Sequence, residues 1–402
     1  MPALWKKPRQ ELFCANDKCT KPIKVREVLF LCPNPLCQGK DSPRPGQPDE
    51  RKNQSLFQAK RFGYNARCPH CDDLAWMKIC PHCWDDLPEA AGNSSTIAVI
   101  GTSASGKTCF VTSLIHTLHE ETSREDSFGI GLLWEGQKGL DYFRSQHDAI
   151  FKRNIVPEAT LRKTVNLPSI QISLSVPVRR WLKRFLVGEE VSIPLVFPDP
   201  SGELFQDLNK PYYLDYLRHA EAIILMVDPF VGKKYQEWLR EQNEDIPDYA
   251  LYAKPADEAL NAMINAVSRG SKTGKLNKTL AVVLTKCDAP GVFNPDKAVD
   301  VRPDGTRGPF REQGGGKYNP GLAGRISTRV ARHLAAELGM PNLVTIAKRK
   351  FREVSFFAAS ALGKSPTEEV DDRGRTVAKI LDPQPRRVEE PLLWILHRWG
   401  YI

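Results

Sequence analysis

No stretch of this 402-residue chain stays apolar long enough to cross a bilayer. The longest apolar runs, Ala222–Val227 and Leu280–Leu284, have the length of buried strands. The opening residues MPALWKKP lack the apolar core of an export signal, so a reducing, cytoplasmic location is the expectation. The net charge of +9 is not gathered into a dense Lys/Arg block, and it favours anionic partners only in a general way. There is no internal repeat, and low complexity is confined to Gly314-Gly315-Gly316. Cysteine is scarce beyond Gly92, where only Cys109 and Cys287 occur, both read as plain core or loop-filling thiols.

What is present divides the chain. An apolar fraction of 41% with 26% charged residues describes a globular protein long enough for two or three domains. The other eight cysteines form four pairs: Cys14/Cys19, Cys32/Cys37, Cys68/Cys71 and Cys80/Cys83. Without an export signal such pairing reads as zinc ligation before disulfide formation. Cys68-Pro-His-Cys71 and Cys80-Pro-His-Cys83 are nearly identical turns, each setting two thiolates on one side of a tight loop. His70 and His82 are spacers inside those turns. Two pairings fit: the two C-P-H-C turns share one ion and the first four cysteines another, or the sets cross-brace. The Pro-rich, charged stretch Lys40–Asn53 separates a zinc-binding module at 1–40 from a zinc-ribbon-like module at 54–92. Closed four-thiolate sites serve folding, which points to docking of a protein partner. The basic residues Lys6, Lys7, Arg9, Lys18, Lys21, Lys24 and Arg26 offer nucleic acid as the competing use. They lack interleaved aromatics, which favours the protein surface.

From Thr96 strands and helices alternate. Thr96–Ile100 reads as a strand, Lys107–His119 as a helix, and Ser169–Val176 with Val191–Phe197 as an adjacent strand pair. Ala222–Val227 and Leu280–Leu284 read as central strands, Ala323–Leu338 as a helix, Val354–Ala358 as a strand and Pro391–Trp399 as a closing amphipathic helix. Glu120–Lys163 and Ala289–Gly321 are left as long connections. The pattern predicts an α/β fold with a mostly parallel sheet between helices.

Gly101-Thr102-Ser103-Ala104-Ser105-Gly106-Lys107-Thr108 fits G-x-x-x-x-G-K-[ST] and lies between a strand and a helix. Its glycines let consecutive amides turn inward on phosphate, Lys107 supplies charge, and the Thr108 hydroxyl suits magnesium. Cys109 follows and is counted with the nucleotide-binding stretch. Asp199-Pro-Ser-Gly202 has the D-x-x-G form, in which Asp199 can hold magnesium through water and the Gly202 amide can meet the terminal phosphate. Thr285-Lys286-Cys287-Asp288 has the [NT]-K-x-D form, and the Asp288 carboxylate can accept two hydrogen bonds from guanine that adenine cannot give. Ala359-Ser360-Ala361 presents a backbone amide to the guanine carbonyl.

This set, in this order, resembles the Ras-like or translation-factor (TRAFAC) class of P-loop GTPases over residues from about 96 to 402. The layout is similar to the bacterial double-GTPase-like families of conflict systems. The resemblance implies a GTPase domain at 93–402, with a six-stranded sheet whose second and third strands are antiparallel. It also implies GTP/GDP with Mg2+, GTP hydrolysis, and a threonine magnesium ligand in the first switch. Thr160 is preferred there over Thr164. Where many members carry a water-orienting glutamine this chain has Glu203, which implies slow intrinsic turnover raised by a partner or by nucleotide-dependent dimerisation. Ser103 replaces a common glycine, and Arg153 and Arg162 in the switch connection are candidates for an internal finger, with a surface role the favoured reading of each. A nucleotide-gated module with negligible turnover and an RNA- or ribosome-associated GTPase are the alternatives. Asp288→Asn is expected to cut the preference for GTP over ATP by roughly a hundredfold in competition binding. Retained preference would remove the guanine assignment.

Overall fold

A computed structural model of the protein describes residues 11–13, 19, 22–37, 46–49, 54–59, 66–87, 97–102, 104–122, 130–134, 137–157, 170–177, 190–197, 217, 220–253, 255–268, 274–293, 318–370, 374 and 376–402. Among the described residues the cysteine-rich front has eight short strands: β1 (Glu11–Phe13), β2 (Pro22–Lys24), β3 (Leu29–Leu31), β4 (Leu56–Gln58), β5 (Ala66–Arg67), β6 (Leu74–Ala75), β7 (Lys78–Ile79) and β8 (Asp86–Leu87). Their main sheet runs β4-β3-β7-β8, all antiparallel. β3 comes from the first expected module and β4, β7 and β8 from the second, so the two segments share one sheet.

The large domain begins with β9 (Ile97–Gly101) and α1 (Lys107–Thr122), followed by β10 (Gly131–Trp134) and α2 (Gln137–His147). Then come β11 (Ile170–Pro177), β12 (Glu190–Phe197), β13 (Ala222–Val227), α3 (Lys233–Glu241), α4 (Asp248–Tyr252), α5 (Ala256–Ser268) and β14 (Leu276–Leu284). After them lie α6 (Pro320–Ala336), α7 (Pro341–Lys350), β15 (Phe351–Ala358), the hairpin β16 (Thr367–Val370) and β17 (Thr376–Lys379), and α8 (Glu390–Arg398). Four strands hydrogen-bond in parallel, in the order β15-β14-β13-β9. The expected antiparallel pair is present as β11 and β12, with β10 added at its edge, and β12 lies beside β9. β10 and α2 replace part of the long connection read at Glu120–Lys163. A π-helical turn, Asp148–Lys152, continues α2, and there His147 Nε2 meets His116 Nδ1 of α1 at 3.2 Å. Among the described residues no helix is long and apolar enough to cross a membrane.

Strand periodicity explains the layering. In β13, Ile223, Leu225 and Val227 face one core, whereas Ala222, Ile224 and Met226 face the other. β9 and β14 divide their residues in the same way. The first core is closed by α3, α5, α6 and α7, through residues such as Leu239, Leu260, Ile326 and Leu343. The second is closed by α1, α8 and the antiparallel strands, through Phe110, Leu114, Ile172 and Leu392. A run apolar at every position is therefore needed in the middle of the sheet, and the sequence supplies it.

The closing helix is more buried than amphipathic spacing suggests, with every residue from Glu390 to Leu396 buried. Leu392→Ala in α8 is expected to destabilise the domain by about 2–5 kcal/mol, because neighbours cannot fully collapse into the gap. A denaturant midpoint unchanged from wild type would contradict this packing.

Candidate functional site

The parallel strands end level with one another. Gly101 pairs with Met226, Val227 with Leu284, and Leu284 with Ala358. Four carboxyl-end loops therefore open along one edge, the position at which open α/β sheets bind ligands.

The loop after β9 is held tightly. A Cβ on Gly101 would lie 2.5 Å from the Ser105 hydroxyl and 3.0 Å from Met226 Cβ, so only glycine fits there. Ala104 and Gly106 take left-handed backbone, with φ of 60° and 81°. The Ser105 hydroxyl donates to Thr102 O at 2.8 Å. The buried Lys107 ammonium curls under the loop and donates to Gly101 O at 3.2 Å and Thr102 O at 3.0 Å. Phe110 donates the first helical bond of α1, to Gly106 O at 2.8 Å, so the amides before it precede the helical ladder. A helix end of this kind attracts anions through its positive dipole. Thr108 and Cys109, in the first turn, are half-buried.

The loop after β14 is tied to this one. Lys286, itself at a positive φ of 52°, donates to Ala104 O at 3.2 Å and to the Asp228 carboxylate at 2.6 Å. It also donates to the Tyr249 hydroxyl, and its ammonium lies over the rings of Tyr249 and Phe230. The Thr285 amide and hydroxyl both donate to Val227 O, fixing the loop to the end of β13. Asp288 is half-buried two residues beyond Lys286. The Cys287 amide reaches Ala359 O at 3.3 Å, which joins the loop to the one after β15.

That third loop has three further supports. The Ser113 hydroxyl of α1 donates to Ala361 O at 2.7 Å, and the Gly363 amide donates to the Ser360 hydroxyl at 2.7 Å. Ser360 and Arg386 exchange backbone hydrogen bonds as an isolated bridge. The site residues that come together are thus Gly101, Thr102, Ala104, Ser105, Gly106, Lys107, Thr108, Cys109, Thr285, Lys286, Asp288, Ser360 and Ala361. Ser103, Thr160, Thr164, Arg162, Asp199, Gly202 and Glu203 lie outside the described residues. Arg153 is exposed and ends the π-helical turn, its amide donating to Asp148 O.

Sequence reasoning passed over Asp228, Tyr249 and Ser113. Asp228 carried a readable signal, a charged residue directly after the apolar run of a central strand. Tyr249 carried none, because a short helix 37 residues before Lys286 brings it there.

Among the described residues the cysteines form two clusters, and their membership is that of the cross-braced alternative and not of one ion shared by the two C-P-H-C turns. Cys32, Cys37, Cys68 and Cys71 converge in one, and Cys19, Cys80 and Cys83 in the other. Cys14 lies outside the described residues. The two turns repeat each other in detail: Cys68 N donates to Asp73 O and Cys80 N to Asp85 O, both at 2.9 Å. Each ends in a left-handed residue, Asp72 or Trp84. Their neighbours in the sheet then carry them to different partners. β3 leads straight into Cys32, and Cys32 Sγ lies 3.5 Å from Cys71 Sγ, while Cys19 Sγ lies 3.6 Å from Cys80 Sγ. A thiolate tetrahedron around zinc, with bonds of about 2.3 Å, has edges of about 3.8 Å, so this spacing suits a shared ion. Burial first of all raises the Cys32 thiol, against hydrogen bonds from Asn34 and Cys71 that lower it, so metal uptake must displace protons.

A family model described as Double-GTPase 2 matches residues 186–362, from just before β12 through the loop after β15. The phosphate-loop motif lies outside that stretch and is an independent observation. The S. cerevisiae Ski7 GTPase-like domain bound to GTP is 15% identical, with a TM-score of 0.32 over 77% of this chain and 51% of that one. The match therefore spans about half of the Ski7 chain. The signal recognition particle receptor SRb-GTP/SRX complex from Chaetomium thermophilum is 10% identical, with a TM-score of 0.27 over 68% of this chain and 93% of that one. No curated protein matches.

Cross-bracing has a direct test in purified protein analysed for zinc. The double change Cys71→Ser with Cys83→Ser is expected to empty both clusters, whereas Cys32→Ser with Cys71→Ser should remove only about one ion. Loss of about one ion from the first double variant would restore the ribbon pairing.

Proposed function

We propose that this chain is a P-loop GTPase of double-GTPase type and works as a GTP-hydrolysing switch whose zinc-stabilised front docks a protein partner. The observation that carries the reading is the convergence at one sheet edge of three loops. The glycine loop with Lys107 suits phosphates, the Thr285–Asp288 loop suits the guanine edge, and the Ser360 loop suits its carbonyl. Lys107 and the amides at the start of α1 would hold the phosphates, and the Asp288 carboxylate would accept from the base. Thr108 would ligate magnesium together with Asp199 and Thr160, and the ion would neutralise charge between the outer phosphates.

Glu203 sets the expected rate. A carboxylate can orient the attacking water, but it adds negative charge where the transition state already gathers it. Slow turnover in the isolated chain follows, raised by a partner or by a nucleotide-dependent dimer. Four thiolates in one cluster, and in the other three that Cys14 would complete, would leave no open coordination position for chemistry, which is why the front is assigned to folding and docking. A role in a bacterial conflict system accompanies the family resemblance and belongs to the same proposal, as does a cytoplasmic location.

Phosphate release from GTP should be measurable with the full chain and magnesium, and Lys107→Ala should reduce it by roughly a hundredfold or more. GTP binding without release would favour the nucleotide-gated module with negligible turnover. Steeply salt-dependent retention on RNA would favour the RNA-associated reading. Brisk single-turnover hydrolysis by the isolated monomer would sink the role given to Glu203.

A further inference from the structure

The Lys286 ammonium has three N–H donors and three acceptors around it. They are Ala104 O of the phosphate loop, the Asp228 carboxylate and the Tyr249 hydroxyl. Lys286 is the second residue of the loop that ends in Asp288, so its head is a strut between the two nucleotide loops. The strut is itself held. Asp228 closes the central strand β13, its side chain fully buried. One of its oxygens accepts from the Phe230 amide at 3.0 Å, and the other accepts from Tyr249 at 3.0 Å as well as from Lys286. The faces of Phe230 and Tyr249 flank the ammonium of a side chain that is 31% exposed. Burial, followed by the nearby Asp228 charge, keeps the Tyr249 hydroxyl protonated far above the ordinary tyrosine range. It therefore stays both donor to Asp228 and acceptor from Lys286.

We propose that Asp228 and Tyr249 are positioning residues that set the lifetime of bound guanine nucleotide. They fix Lys286 so that the phosphate loop and the Asp288 loop hold one spacing. This proposal rests on the GTP-binding reading above. Neither residue touches the nucleotide in this scheme; each acts through Lys286. Removing one acceptor from a charged donor in a partly buried cage frees the ammonium to leave Ala104, and the two loops then move independently. The consequence belongs to binding and to base discrimination, since the groups expected at the reacting phosphate do not include this cage.

The experiment uses the full chain loaded with N-methylanthraniloyl-GDP and chased with excess GDP. Tyr249→Phe is expected to speed nucleotide release by roughly tenfold, and Asp228→Asn by tenfold to a hundredfold. Discrimination between GTP and ATP should fall in both variants, while kcat at saturating GTP stays within about twofold. The release rate is first order, so it reports the folded fraction alone even if a variant folds poorly. A lowered melting temperature with an unchanged release rate would mean a merely structural cage and overturn the proposal. A large fall in kcat with unchanged release would overturn it too. A wild-type chain that binds no guanine nucleotide would remove the GTP-binding reading and this inference together. Unchanged release in a wild type that does bind would remove the inference alone.

Discussion

The edge at which the carboxyl-end loops converge depends on β13 being buried on both faces. Its six residues alternate between two cores, which forces a strand without a polar position until Asp228. Parallel pairing to β9 on one side and β14 on the other then brings the strand ends level. Loops that are 100 or more residues apart in sequence meet because their strands stop in the same row. The chemistry is laid over that constraint. Lys286 can reach Ala104 only because β14 and β9 flank the same central strand.

The elements legible in the sequence were those whose burial is uniform or strictly periodic. Ala222–Val227 was read to its ends, whereas Leu280–Leu284, read as a whole strand, is only the carboxyl-terminal part of β14. The phosphate loop was legible because its glycines are demanded by local geometry, a close approach at Gly101 and a left-handed turn at Gly106. α2 and α5 escaped because their apolar stripes are interrupted by polar residues, and local propensity alone did not separate them from connections. Tyr249 escaped for another reason. Its role is fixed by a contact with a residue far along the chain, and no local pattern encodes that.

The cysteine-rich front shows the same limit in sharper form. The repeated C-P-H-C turns were read correctly as thiolate-presenting loops, since each closes on its own backbone. Which cysteines converge is a property of strand pairing. β3 sits between β4 and β7, and that order sends Cys68 and Cys71 to Cys32 and Cys37, while Cys80 and Cys83 meet Cys19. Interleaving of this kind binds the two segments into one unit. Neither half holds a complete set of partners for its own thiols, and so small a core gains stability from such cross-links.

A buried carboxylate such as Asp228 would ordinarily be a cost, because desolvating a charge outweighs a single hydrogen bond. Here its acceptors are matched by an amide, a phenol and an ammonium. An apolar replacement of equal volume would pack, yet it would leave the Lys286 charge flanked by two rings with only a loop carbonyl and one hydroxyl. The pair therefore makes sense as a device for specificity of position more than for stability. It holds one lysine in one place, at the junction of the loop that suits phosphate and the loop that suits the base.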